Sequence, residues 1–136
     1  MSFLIDTDVL SLLERRSCPH KLTAWVKTNE PAIFISVVSI AEIEFGIAHA
    51  PVTHQPDLRR WLNRVRINFA SAIEPLNEPV LVRWKELLAH LKTKNRTLTC
   101  EDSLIAATAL LLGHKVVTRN SRHFAPAGVQ IVDPLT

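Results

Sequence analysis

Residues 3–13, FLIDTDVLSLL, decide the fold. Phe3, Leu4 and Ile5 form a run too short and too apolar for anything but a buried strand, covered on both faces as in the middle of a parallel sheet. Val9, Leu10, Leu12 and Leu13 then carry helical spacing, so strand hands over to helix between the two groups. Asp6 stands at that hand-over, on the strand's carboxyl end, where open α/β sheets bind their ligands. Thr7 or Asp8 suffices to cap the new helix. Asp6 comes one or two residues too early for capping and is therefore the first site candidate, with Asp8 behind it.

The same unit repeats outward from this stretch. Leu22, Trp25 and Val26 mark a short amphipathic helix that ends near Asn29, Glu30 and Pro31, after which Ile33, Phe34 and Ile35 predict a second strand. Ser36 to Ser39 makes the turn, and Ile40, Ile43 and Ile47 give a helix over 40–49. Pro51 to Pro56 is a linker before a helix marked by Leu58, Trp61, Leu62, Val65 and Phe69. Its other faces carry Arg59, Arg60, Arg64 and Arg66, which read first as a solvated face and second as contacts for RNA or a partner. Ala72 to Leu76 is a short third strand, and Asn77, Glu78 and Pro79 open a long helix striped by Val80, Leu81, Trp84, Leu87, Leu88 and Leu91. Lys92, Lys94 and Arg96 follow at its end, where cations suit the helix dipole. Residues 99–112, TCEDSLIAATALLL, are apolar almost all round and predict a helix pressed on the sheet, stopped by Gly113. Val116 and Val117 make a strand ending at Thr118, Arg119 and Asn120, and Val129 to Val132 the last one. Strands alternating with helices predict an α/β fold with a parallel sheet.

A chain of 136 residues holds one domain with a proper core, and 47% hydrophobic with 21% charged residues is ordinary for a globular protein. No window reaches the ~18 uninterrupted apolar residues of a membrane span, and the first residues lack a secretory pattern. Cys18 and Cys100 have neither metal nor redox spacing, so a cytoplasmic protein with both thiols reduced is expected. A net charge of +3 permits a nucleic-acid partner without demanding one.

Two further acids sit near predicted helix starts. Ser39-Ile40-Ala41-Glu42 fits a capping box, in which the glutamate reaches back to its own helix's first N–H. Yet Glu42 points away from the Ile40, Ile43, Ile47 stripe, leaving it free to face a groove, while Glu44 lies at the stripe's edge. Asp102 falls in a first helical turn that Thr99 caps, where the dipole favours an acid, but the rest of that helix is apolar. An acid there is costly unless paired or metal-bound. Three carboxylates converging on one sheet edge repel one another unless a divalent cation neutralises them. Mg²⁺ and Mn²⁺ prefer such oxygen ligands and keep several waters, a site that activates water against a phosphodiester. The six histidines show no zinc spacing, and His123 beside Phe124 reads as a surface or packing residue. Gly46, Gly113 and Gly128 are the only glycines, too few for a phosphate-cradling loop. Asp6-Thr7-Asp8-Val9 also approaches the nucleophile loop of haloacid-dehalogenase-type phosphatases, but Leu10 departs from that pattern and the later lysine and acidic pair cannot be placed.

Taken together, LIDTDVL, SVVSIAEIEFGI, CEDSLIAATALLLGHKVVTRNSRHF and the closing VQIVDP resemble PIN-domain ribonucleases, in particular the toxins of VapBC-type toxin–antitoxin pairs. The likeness spans the whole chain in the family's order. It implies an α/β/α sandwich around a short parallel sheet, Mg²⁺ or Mn²⁺ held by Asp6, Glu42 and Asp102, and endonucleolytic cleavage of RNA. A fourth position, often Asp in the family, is Asn120 here, and Thr118 looks like the family's hydroxyl near the metal waters. Asn95 stands where a loop glycine is common, tolerable for Asn at positive φ. The resemblance also implies a small antitoxin that inserts an arginine among the acids; the exposed sides of the Leu12, Leu13 and Trp61, Leu62 helices, which read first as core packing, offer its apolar segment a groove, and a homodimer is expected to place two such sites together. The alternative is a chain weakened by Asn120 that only binds RNA or antitoxin.

Overall fold

The computed structural model describes all of residues 1–136. Strand β1 (Phe3–Ile5) lies at the centre of a five-stranded sheet of order β3-β2-β1-β4-β5, with β2 at Ile33–Ser36, β3 at Ile73–Glu74, β4 at Lys115–Val117 and β5 at Ile131–Val132. Every pairing is parallel, and β1 aligns Ile5 with Ile35 on one side and with Val117 on the other. Because successive side chains of a strand point to opposite faces, β1 feeds two cores at once. Phe3 and Ile5 join Ile33, Ile35 and Val117 on one face, while Leu4 and Val116 join Leu87, Ile105 and Ala106 on the other.

Helices cover both faces. Helices α1 (Thr7–Leu12), α2 (His20–Asn29), α3 (Val37–Ala48) and α4 (Gln55–Asn68) supply apolar residues to the Phe3 and Ile5 side. On the Leu4 side lie α5 (Glu78–Thr93) and α6 (Cys100–Leu112), with the short α7 (Ser121–Phe124) contributing Phe124. The result is the α/β/α sandwich with a short parallel sheet that the alternation predicts. Helix α5 opens as expected, with Asn77 accepting the Val80 N–H at 3.2 Å. Trp84 of α5 donates to the Ser103 hydroxyl at 2.8 Å, tying α5 to the first turn of α6.

The expected boundaries need several corrections. Helix α3 starts at Val37, capped by Ser36, because that hydroxyl accepts the Val38 N–H at 3.0 Å. Ser39 and Glu42 therefore lie inside the helix, and the capping box does not form. The third and last strands shrink to Ile73–Glu74 and Ile131–Val132, since strands at a sheet's edge have one neighbour only to pair with. Helix α6 buries its middle, but Leu111 and Leu112 near its end stay exposed. Leu12 and Leu62 are core residues, 6% and 0% exposed, whereas Leu13 and Trp61 are half-buried, and Trp61 lines a small groove with Ser11, Glu14, Glu42 and Leu58 between α1, α3 and α4. Of the arginines of α4, Arg59 and Arg66 pair with Glu44 and Arg60 with Asp57, while Arg64 is exposed without a carboxylate partner. No helix is long and apolar enough to cross a membrane.

Candidate active site at the carboxyl edge of the sheet

The chain leaves β1 to build β2 and β3 on one side, then returns to place β4 and β5 on the other. The direction of the sheet thus switches between β1 and β4, and the crevice outside their carboxyl ends is where such sheets accept ligands. Ile5 and Val117 are paired, so the next residues, Asp6 and Thr118, face that crevice side by side. The Asp6 N–H donates to the Val117 carbonyl at 3.0 Å, and the Thr118 N–H to Val132 at 3.0 Å, extending the ladder to its rim.

Asp6 is itself the N-cap of α1, its Oδ1 accepting the Val9 N–H at 2.8 Å. Neither Thr7 nor Asp8 caps, since the helix begins one residue earlier than its apolar pattern suggests. Asp6 is only 5% exposed, and burial pushes its carboxyl up to about 6, against the pull of the Thr118 hydroxyl and the Val9 N–H. The charges of Asp8 and Asp102 push the same way as burial. Thr118 is fully buried and its Oγ1 also accepts the Asn120 N–H at 3.0 Å, which fixes the hydroxyl beside the acid.

Glu42 comes from the second turn of α3. It accepts a 2.6 Å hydrogen bond from the Thr7 hydroxyl, which stands 2.8 Å from that of Ser39, so α1 and α3 are joined beneath it. Burial raises its pKa, Thr7 opposes the shift, and the charges of Glu101 and Asp102 add to it. Asp102 comes from the first turn of α6, where its N–H donates to the Thr99 hydroxyl at 3.1 Å. Its Oδ2 lies 2.8 Å from Nε2 of His123. His123 is thus no idle packing residue. A lone histidine next to Phe124 carries no sign of this, because the partner is 21 positions away and only the return of α7 over α6 brings the two together.

The charge of Asp102 thus reaches both Asp6 and Glu42, while Asp6 and Glu42 exert no such influence on each other. Asn120 opens α7 with its backbone, its side chain exposed and making no capping bond. Asp8 is engaged elsewhere: Arg119 grips it in bidentate fashion, with Nε to Oδ2 at 3.0 Å and Nη2 to Oδ1 at 3.1 Å. An acid held that way is poorly placed to pass a proton to a leaving group, which removes the support for a phosphatase loop. Beside the acids, a groove of about 760 Å³ is lined by Val37, Val38, Ala41, Phe45 and Leu76, with Glu42 and Glu101 also on its wall.

As a metal site the arrangement is open. No three acids, histidines or cysteines stand close enough together to hold a metal ion as they are placed. A donor set of carboxylate oxygens spread around a crevice fits Mg²⁺ or Mn²⁺, which complete their shells with water, and fits zinc poorly.

Comparison with known proteins points the same way as the geometry. Over 134 residues the chain is 28% identical to the VapC ribonuclease Y4jK of Sinorhizobium fredii, covering 96% of each. The crystal structure of FitAcB from Neisseria gonorrhoeae superposes with a TM-score of 0.90 at 27% identity, covering 98% of both chains. A toxin–antitoxin complex from Klebsiella pneumoniae matches with a TM-score of 0.69 at 26% identity, again over 98% of each chain. The family model described as PIN domain matches residues 3–129, from β1 to the approach to β5, and the chain belongs to the PIN domain family.

Proposed function

We propose that this chain is a divalent-metal-dependent endoribonuclease and the toxin of a toxin–antitoxin pair. The observation that carries the proposal is the placement of buried Asp6 at the carboxyl end of β1 beside Thr118, with Glu42 and Asp102 near the starts of α3 and α6, in a chain of the PIN domain family. A protein that keeps such a cluster charged at neutral pH gains from a cation within it. The similarity to a VapC ribonuclease supports RNA as the polymer cut.

Asp6, Glu42 and Asp102 would hold Mg²⁺ or Mn²⁺, which supplies Lewis-acid activation of water for in-line attack and neutralises phosphate charge. The chain's other residues set the orientation of these acids. Thr118 favours the ionised form of Asp6, Thr7 fixes the rotamer of Glu42, and His123 aims Asp102. Asn120 stands at the rim, able to accept a hydrogen bond from a water while adding no charge.

The antitoxin would lay an apolar segment in the groove lined by Val37, Phe45 and Leu76 and set an arginine among the acids, where a planar fork pairs with carboxylates. The smaller groove between α1, α3 and α4, lined by Ser11, Leu58 and Trp61, reaches Glu42 from the other side. The Klebsiella neighbour, a toxin–antitoxin complex, supports such a partner, and a homodimer of this chain would carry two grooves.

The test uses purified protein and RNA. Cleavage that starts with Mg²⁺ or Mn²⁺, stops with EDTA and is suppressed by a small co-encoded protein in a stable complex supports the proposal. RNA bound but never cut would favour the weakened binding module that Asn120 suggests. Cleavage unaffected by EDTA would refute the metal mechanism.

A further inference from the structure

Lys94, Arg96 and Arg122 line one cleft of about 660 Å³, completed by Ala125 and Pro126. They come from two separate places, the loop after α5 and the short helix α7. All three are exposed and none pairs with a carboxylate, a state they share with Arg15, Arg16 and Arg64, but Lys94, Arg96 and Arg122 together line one cleft. The dipole of α5 accounts for cations at its end but not for Arg122, which belongs to another element.

The loop is built rather than loose. Asn95 adopts φ 53°, turning the chain between Lys94 and Arg96, and the Arg96 N–H returns to the Leu91 carbonyl at 3.0 Å. Three like charges gathered without a counter-charge repel each other, and an anion relieves that repulsion. The position of the cleft says which anion. Arg122 directly precedes His123, whose ring bonds Asp102, and Arg96 stands in the loop that runs into Thr99, the cap of α6, so both sides of the cleft lead within a few residues of chain to Asp102. An acid cluster that must admit a polyanion repels it, and cations beside the cluster offset that repulsion.

We infer that this cleft seats backbone phosphates of single-stranded RNA next to the bond to be cut. The inference rests on the reading of the chain as a ribonuclease and names a subsite for its substrate. Three neutralised phosphates on a single strand release counterions with a salt slope of about −2.

Binding of a short, end-labelled single-stranded RNA is followed by fluorescence anisotropy in EDTA across a salt series. Three full-length proteins are compared: the parent, the triple variant Lys94→Ala, Arg96→Ala, Arg122→Ala, and a charge-matched reference, Lys27→Ala, Arg64→Ala, Lys85→Ala. The cleft variant should bind more weakly, its slope shallower by about 2, while the reference keeps most of the parent's slope. Equal slopes for the two variants would overturn the inference, as would a cleft that ignores RNA but takes up a polyglutamate peptide. The replaced side chains are exposed, and circular dichroism confirms the fold of each protein. Cleavage with added Mn²⁺ is scored separately. A parent that binds RNA through the cleft and never cuts it refutes the nuclease reading and leaves the subsite standing.

Discussion

Asp6 has two duties that oppose each other. As the cap of α1 it favours the charged form, and as a residue only 5% exposed it favours the neutral one, with the pKa of about 6 recording that burial wins. A carboxyl raised from 3.8 to about 6 contributes stability that is complete below the lower value and is lost as pH climbs through the upper. Asparagine caps as well as aspartate and carries no charge. In metal-free protein, Asp6→Asn should therefore be the more stable form at pH 8, by at most about 3 kcal/mol, with the gap closing towards pH 4. Urea denaturation of both proteins across that range reads it directly, and a gap independent of pH would show that Asp6 is not the buried charge described. In the proposed site, His123 stands one step further from the chemistry, behind Asp102. Replacing a residue that orients a metal-holding acid typically costs about 10- to 100-fold. His123→Ala should weaken Mn²⁺ affinity by about 10-fold in calorimetry, while unchanged affinity would leave the 2.8 Å contact to Asp102 a structural detail.

At the scale of elements, helix ends carry most of the specification. Gly113 closes α6 at φ 74°, where a Cβ meets no neighbour, so the cost of a side chain there is backbone strain alone. Gly113→Ala should lower stability by about 1 kcal/mol in chemical denaturation with no change in RNA cleavage. This stop was legible, as were β1, β2, the Asn77 and Thr99 caps and the parallel alternation, because each rests on neighbours in sequence. What was not legible depended on distant partners. The capping box around Ser39 looked sound locally, but Ser36 sits where β2 actually ends and takes the cap instead. Asp6 looked too early to cap because apolar spacing reports the buried face of a helix and not its first turn. The bond from His123 to Asp102 and the grip of Arg119 on Asp8 join residues 21 and 111 positions apart, and no local pattern encodes either.

For the whole molecule, one sheet edge collects the chemistry while two cores hold it rigid. Acids approach from β1, α3 and α6, and each of these elements is anchored by buried residues of its own: Ile5, Ile43 and Ile105. Membership in the PIN domain family and the acids at that edge support the proposal that Asp6, Glu42 and Asp102 hold a cation that serves RNA cleavage. Removing one carboxylate while keeping its shape should then abolish the reaction without unfolding the protein, since it also relieves the repulsion on the other two. The most direct measurement is a time course of RNA cleavage in Mn²⁺ by the parent and by Asp102→Asn, purified and matched by circular dichroism. The account predicts cleavage by the parent and a loss of at least about 100-fold in the variant. Equal rates from the two proteins would contradict it.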